Sequence, residues 1–442
     1  MNREKIAWLT SGVILCYVAL SVPGSLAQRD DDYRFVRTLV DIYRQVGTNY
    51  VENVEDQKLQ QAAISGMLQS LDPHTMYVPP EQEDAFNDAL DGNFKGVGIR
   101  LNYNEETSQI EVVTPIDDSP AWKAGVLPGD VVLKVDGESI VGMRLEDAIP
   151  KIQGPSGSKV TLNLKRTTGE ITDITLTREE FVVPMIKGFD RNPDNTWNYW
   201  VDGTTKIGYV RLAQFTPEIG AKIGDIVRTL KGDGMKGLIL DLRFNPGGRL
   251  EEAEQIIDLF VKEGTIVSVK GRNRPEQKRM AKAEGTLENF PMVVLVNEHS
   301  ASASEVVAGS LKDNNRATVV GARTYGKGSV QEVMPLDANA GELKMTVAYW
   351  YLPSGKRVQR IKDAKEWGVE PDIVVAMDDA AQGRIMREQL RAEQMRVSAT
   401  VPVTNPSSQP STYPATTQAT TQATDTQLEK AIEVIREKVA AK

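Results

Sequence analysis

The sequence predicts an α/β protein of two or three domains with a helical segment ahead of them, and three observations carry that expectation. A chain of 442 residues exceeds what one ordinary hydrophobic core organises. From Lys206 onward the pattern repeats as buried strand, tight turn and helix, which implies an α/β core. Between Asp31 and Leu71, by contrast, apolar residues recur at helical spacing.

Composition narrows the class. At 40% apolar and 26% charged residues the chain is ordinary for a soluble globular protein. A formal charge of -9, a pI near 5.2 and no cluster of Lys and Arg exclude nucleic acid as the main partner, because phosphate contacts need clustered cations.

In chain order, residues 1–27 have Arg3 and Lys5, an apolar run from Ile6 to Leu20, and Ser25-Leu26-Ala27 as a small-x-small cleavage site. This is the layout of a signal peptide, and the run is short for a membrane span. Export to the periplasm is therefore expected; an uncleaved N-terminal anchor facing the periplasm, with the membrane close by, is the alternative. Cys16 is the only cysteine, and Leu15 before it is too bulky for the usual lipid-attachment motif. Cleavage leaves no cysteine, which excludes disulfides and thiol catalysis.

Residues 28–85 form the expected helical segment. Phe35, Leu39, Ile42 and Val46 fall on one face, as do Leu59, Ala63 and Met67. These helices either pack on the body or act as a dimerising arm. Asp72-Pro73-His74 ends the second helix, and Pro79-Pro80 marks a loop.

Residues 86–180 resemble a PDZ domain. The resemblance rests on Phe94-Lys95-Gly96-Val97-Gly98-Ile99, on Ser119-Pro120-Ala121 leading to Ala124-Gly125-Val126, and on Leu127-Pro128-Gly129-Asp130 continuing to Gly137. It implies that backbone N–H groups of Gly96, Val97, Gly98 and Ile99 hold a peptide carboxylate while the adjacent strand edge pairs with the peptide. Glycines there let the backbone approach a ligand closely. Pro150 departs from expectation, since it falls inside the helix that should flank the groove, where it removes an N–H and crowds the carbonyl of Glu146.

Residues 181–377 form the larger domain. Strands are expected over 206–212 and 237–243 and helices over 219–230 and 250–262, with the turn Asn245-Pro246-Gly247-Gly248 between. Such turns are usually structural, but this one offers the N–H groups of Gly247 and Gly248 at a helix start, a geometry that stabilises anions. Residues 291–331 then read as strand (293–297), small-residue turn, helix (303–312), strand (318–321) and a glycine-flanked lysine. That order lifts a serine to the mouth of a helix and returns a lysine towards it.

Scarcity limits the chemistry. Only His74 and His299 are present, so a multi-histidine metal site is excluded and a Ser-His-Asp triad has few members. His299 is three residues from Ser302 and would need a carboxylate to orient it. The other base for a serine is a lysine, which must lose about three pKa units through burial to accept a proton at neutral pH. Lys327, between Gly326 and Gly328 and amid apolar strands, is the best placed.

Ser300-Ala301-Ser302-Ala303-Ser304-Glu305, Thr324-Tyr325-Gly326-Lys327-Gly328-Ser329-Val330-Gln331 and the stretch 241–248 together resemble the signature motifs of the carboxyl-terminal processing peptidases, serine peptidases with a Ser-Lys dyad and a PDZ domain. The likeness extends from about Leu39 to Val375. It implies Ser302 as nucleophile, Lys327 as general base and Gln331 as the residue that orients the lysine. It further implies an oxyanion hole from N–H groups of Ala303 and of Gly247 or Gly248, a crotonase-like core, and a PDZ domain that recruits substrate or gates the site. Composition alone leaves Ser300 and Ser304 open; only the motif selects the middle serine.

Two plain alternatives compete with these roles. Ser302 with Glu305 is an S-x-x-E capping box, in which the hydroxyl only caps a helix. Gly321, Gly326 and Lys327 have phosphate-loop spacing, but Gly328 stands where a metal-binding Ser or Thr should be and a strand follows.

Beyond Glu370-Pro371-Asp372-Ile373, still family-like, the chain departs from the family pattern. A charged helical stretch (378–398), a Thr-, Ser-, Gln- and Pro-rich linker (399–425) and an amphipathic helix (426–442) follow. Leu428, Ile432, Ile435 and Val439 form the last helix's apolar stripe, which docks on the body or on another subunit, so the terminal helices offer a homodimer contact. The expected activity is cleavage of polypeptides with exposed C-termini through an acyl-enzyme, with neither metal nor nucleotide cofactor. The rival is a non-catalytic PDZ adaptor that binds peptides or an apolar ligand.

Overall fold

The computed structural model describes residues 33–104, 107–202, 204–288, 290–393 and 425–441. The expected signal peptide and residues 399–424 of the expected linker lie outside the described residues. The chain divides into two units, one holding the described residues up to Tyr77 with Val333–Leu336 and Glu342–Met345, the other the remainder.

In the first unit, helices span residues 33–49 and Asp56–Gln69. Gln60 Nε2 donates to the Tyr43 hydroxyl at 3.2 Å. None of residues 33–49 is buried, and Phe35, Leu39 and Ile42 are exposed.

In the second unit, the PDZ-like part has the antiparallel strand order Ile99–Asn104, Gln109–Pro115, Val131–Val135, Lys159–Lys165, Ile171–Thr177. Its core is Val97, Ile110, Val132, Leu162, Ala148 and their neighbours. Strand Ile99–Asn104 is at the sheet edge, and helix Leu145–Ile152 continues for two residues past Pro150. The turn before the edge strand is tied down through its carbonyls. Ala121 N–H donates to Val97 O at 2.9 Å, and Ile116 N–H and Ser119 Oγ donate to Gly98 O at 2.8 and 3.1 Å. Gly98 has φ +74°, and a Cβ there would lie 2.1 Å from that of Ser119, so the turn needs glycine.

The larger domain is built on a sheet of order Ile186–Lys187, Ile207–Leu212, Gly237–Asp241, Met292–Val296, Thr318–Gly321, Ile373–Val374. The strands from Ile207 onward are parallel. Buried on both faces, they read as continuous apolar runs. Alternate residues serve the two sides. Val210, Leu238, Leu240, Val294 and Val296 meet the layer of helices Ile219–Gly232, Leu250–Asp258 and Ala303–Asp313. Tyr209, Ile239, Val293, Leu295 and Val320 face the closing helix Thr426–Ala440.

That helix resolves one alternative. Its Ala431, Val434 and Ile435 are buried on the chain's own sheet, and Ile435 approaches Gly237 too closely for any side chain there. The C-terminal stripe is therefore covered within one copy, which corrects the expectation that it offers a homodimer contact. Polar groups fix its start: Asp425 accepts from Leu428 N–H at 3.0 Å and pairs with Arg243 at 2.9 Å. Arg243 is buried and bonded to Asp241, whose carboxylate also accepts from the Tyr209 hydroxyl at 2.7 Å. Burial opposes the charge on Asp241, but Arg243 and Tyr209 outweigh it and hold the carboxyl below its usual range.

Candidate active site

The site is assembled from two turns at the carboxyl ends of neighbouring parallel strands, where open α/β sheets form their crevices. Strand Gly237–Asp241 runs into Leu242–Gly248, and strand Met292–Val296 into Asn297–Ser302. Asn297 ties one to the other, its side-chain oxygen accepting from Phe244 N–H at 3.0 Å and His299 N–H at 3.2 Å.

The three serines separate by burial. Ser300 and Ser304 are fully buried and donate to the carbonyls of Leu242 at 2.8 Å and Asn245 at 3.0 Å. Both are structural pins. Ser302 is only half-buried and has φ 55°, ψ −116° at the N-cap of helix Ala303–Asp313. A non-glycine residue there costs about 1–3 kcal/mol, strain of the kind that presents a nucleophile on a sharp strand-to-helix turn.

Two N–H groups of these turns lack partners among the described residues. Ala303 N–H, at the first position of the helix, and Gly248 N–H have no hydrogen-bond partner among the described residues. Gly247 was an equal candidate in sequence, yet its N–H donates to Asn245 Oδ1 at 2.8 Å, which removes it from the pair. Gly247 serves differently. Its φ is +102°, and a Cβ would lie 2.7 Å from the Ser302 Cβ and 3.0 Å from Ala303 N, so only glycine leaves room there.

Lys327 is half-buried, flanked by glycines for the same reason. A side chain at Gly326 would meet Arg360 and Trp367 at 2.8 Å, and one at Gly328 would meet Gln359 N at 2.7 Å. The loop docks directly on the serine turn, Tyr325 N–H donating to Ser300 O at 3.1 Å.

The stronger link is Glu305, fully buried. Its Oε2 accepts from Ser302 N–H at 2.9 Å and Lys327 N–H at 2.8 Å, and its Oε1 from Gly326 N–H at 2.7 Å and Thr324 Oγ1 at 2.6 Å. One carboxylate oxygen thus holds the backbone of both the serine and the lysine. Burial pushes the Glu305 carboxyl upward, while the four donors pull it back. Of the capping box expected between Ser302 and Glu305, the glutamate half is formed, while Glu305 N–H donates to the Ser302 backbone carbonyl at 2.8 Å, and the glutamate does more than cap. Sequence reading missed this role. The signal was a helix apolar on all sides, Glu305-Val306-Val307-Ala308, in which a glutamate has no solvent to face.

Gln331 lies on strand Ser329–Pro335 and its Nε2 donates to Ser329 Oγ at 2.8 Å and Thr346 Oγ1 at 3.2 Å. His299 is exposed and its ring stacks on Phe244 at 5.6 Å. Gly96, Val97, Gly98 and Ile99 form the tied turn and first edge-strand residue described above. These four belong to the PDZ-like part and not to the serine turn.

Residues 206–375 match peptidase family S41, residues 111–166 a PDZ domain, and residues 22–82 the N-terminal domain of the activating protease CtpB. The chain is 40% identical over 380 residues to the carboxy-terminal-processing protease of Bartonella bacilliformis, covering 84% of this chain and 82% of that one. It is 32% identical over 363 residues to the carboxy-terminal processing protease CtpA of Bacillus subtilis, covering 82% and 73%. Among solved structures it is similar to a photosystem II D1 C-terminal processing protease, with 29% identity, a TM-score of 0.44, and coverage of 76% of this chain and 92% of that one. The chain belongs to peptidase family S41, the carboxy-terminal-processing peptidases, and is a serine-type peptidase.

Proposed function

We propose that the chain is an exported endopeptidase that cleaves polypeptides near exposed C-termini with a Ser302–Lys327 dyad. The single observation that carries this is the Glu305 carboxylate gripping the backbones of both residues through one oxygen. Neutral Lys327 takes the proton of the Ser302 hydroxyl as Oγ attacks the peptide carbonyl, and the oxyanion meets the N–H groups of Gly248 and Ala303. Lys327 then gives that proton to the leaving amine. A water, deprotonated by the same lysine, hydrolyses the ester and frees Ser302. Gln331, whose Nε2 is occupied by the hydroxyls of Ser329 and Thr346, orients the lysine in this scheme through its amide oxygen.

The PDZ domain recruits substrate. Its edge strand is open to pairing and the preceding turn directs its carbonyls inward, which suits capture of a carboxylate by N–H groups. The parallel sheet with a helical layer is consistent with a crotonase-like core. Export follows from the signal-like N-terminus, with the periplasm as destination and an anchored form as the second option. The exposed Phe35, Leu39 and Ile42 face is the one a second copy would cover.

The test is to incubate the mature chain and its Ser302→Ala and Lys327→Ala forms with a disordered polypeptide. Fragmentation by the parent alone is expected. Equal fragmentation by all three would sink the dyad. Binding of the polypeptide by a parent that leaves it intact would favour the adaptor instead.

A further inference from the structure

Away from the serine turn, four cations from distant parts of the chain gather around one tryptophan. Lys187 stands directly opposite Arg211 where strand Ile186–Lys187 pairs with Ile207–Leu212. Arg191 stands opposite Trp197 where strand Asp190–Arg191 pairs with Trp197–Asn198. Lys187, Arg191 and Arg211 are buried, at 7, 5 and 8% exposure, and Arg100 joins them through a shared carboxylate, that of Glu393. Like charges facing one another across a strand pair repel, and a buried charge persists only where something pairs with it.

The anions present meet only part of that need. Glu393, the last residue of helix Asp379–Glu393, bonds Arg211 at 2.5 Å and Arg100 at 3.4 Å through its carboxylate and accepts from Arg191 at 3.2 Å through its carbonyl. Asp117 pairs with Arg191 at 2.5 Å. Two carboxylates thus face four cations, which leaves two positive charges in excess. Beside that excess, three donors have no acceptor among the described residues. Lys187 Nζ makes neither hydrogen bond nor ion pair and lies over the Trp197 ring at 5.6 Å. Arg191 Nε and Trp197 Nε1 are buried and unpartnered, with the Arg191 guanidinium 3.9 Å from the centre of the same indole. Native interiors seldom leave such groups unpaired. Burial draws the Lys187 amine below its usual pKa against the opposing pull of Glu393 and Asp117, the behaviour of an ammonium short of a counter-charge.

We propose that this corner binds a small oxyanion, held by the Lys187 ammonium, Arg191 Nε–H and Trp197 Nε1–H. A doubly charged oxyanion, such as inorganic phosphate or sulfate, cancels the excess charge and offers an oxygen to each of the three donors. Because the strand pairings that build the site exist only in the folded chain, the anion stabilises that state by mass action. Neither the Ser302–Lys327 dyad nor capture of a peptide by the PDZ domain enters this inference, and it stands or falls apart from both. No run of cations in the sequence marks the site, since its members come from four separate strands.

The test is titration of the full chain with inorganic phosphate, ionic strength being held constant with sodium chloride, read by calorimetry and by the midpoint of thermal unfolding. Saturable binding of one phosphate per chain is expected, with a rising midpoint and competition by sulfate. Lys187→Met keeps the aliphatic stem and removes the ammonium, while Trp197→Phe keeps an aromatic ring and removes the N–H. Each should weaken phosphate binding about tenfold or more, the loss of one charge-assisted hydrogen bond. Should one of them not fold, the other decides alone. Lys278→Gln, which changes an exposed cation on strand Arg274–Met280, should leave the titration as in the parent. Absence of saturable binding, parental affinity in a folded Lys187→Met or Trp197→Phe, or an equal loss in Lys278→Gln would overturn the site.

Discussion

Glu305→Gln is the perturbation that most sharply probes how the two proposed catalytic residues, Ser302 and Lys327, are held together. The carboxylate accepts four hydrogen bonds, two on each oxygen. An amide has only one oxygen, so two donors must face its NH2 group. If the oxygen stays with Ser302 and Lys327, the NH2 faces Gly326 N–H and Thr324, and the Thr324 hydroxyl, which also accepts from Val369 N–H at 2.7 Å, can turn to receive it. Gly326 N–H is then orphaned. In the other orientation both Ser302 N–H and Lys327 N–H lose their acceptor. Each buried orphan costs about 1–3 kcal/mol, so the first orientation wins and stability falls by about that amount. Release of the loop by as little as ~1 Å is expected to lower kcat on the order of 10²-fold, with KM little changed. The assay is peptide-cleavage kinetics beside thermal unfolding. A Glu305→Gln enzyme within about twofold of parent kcat would refute the claim that this carboxylate sets the dyad, since even one RT-scale shift in the barrier exceeds that.

Other expectations follow from the same geometry. Gly247→Ala should abolish cleavage while leaving peptide binding by the PDZ domain intact, because its Cβ would meet that of Ser302 at 2.7 Å; turnover and peptide titration check the two halves. Deleting residues 425–442 uncovers Ile239, Val293, Leu295 and Val320 and strands Arg243 without Asp425, so the midpoint of urea unfolding should drop clearly; an unchanged midpoint would contradict the docking. Burial opposes ionisation of Glu393, but Arg211 and Lys187 outweigh it and hold its carboxyl low. Its stabilisation is therefore full above the unfolded carboxylate range of about 4.3 and lost as pH falls through the lowered native value. Acid unfolding of Glu393→Gln should show a shallower pH dependence below that range than the parent.

The parallel strands were legible because a strand buried on both faces is an apolar run with clear ends: residues 318–321 read the same in sequence and structure. Helix ends were less so. The helix read as 250–262 stops at Asp258, because Phe260 and Val261 continue the apolar pattern as a buried turn. An amphipathic stripe says that a helix is covered but not by what, which is why the closing helix was open between its own sheet and a second copy. Hydrogen bonds between distant turns were invisible altogether. Nothing local tells that Asn245 takes the Gly247 N–H, or that Glu305 reaches the lysine loop. The choice among Ser300, Ser302 and Ser304 came from motif likeness; in the structure two of them are buried pins and Ser302 is half-buried and strained.

The most direct test of the central claim is the rate at which Ser302 is acylated by a small serine-directed reagent, followed by intact mass and peptide mapping. A single adduct on Ser302 is expected in the parent and almost none in Lys327→Ala at neutral pH. Adding a small primary amine to Lys327→Ala should restore labelling in proportion to the amine's free base, since the missing function is a neutral amine. Labelling of Lys327→Ala at the parent's rate without amine, or an adduct on any residue other than Ser302, would contradict the dyad.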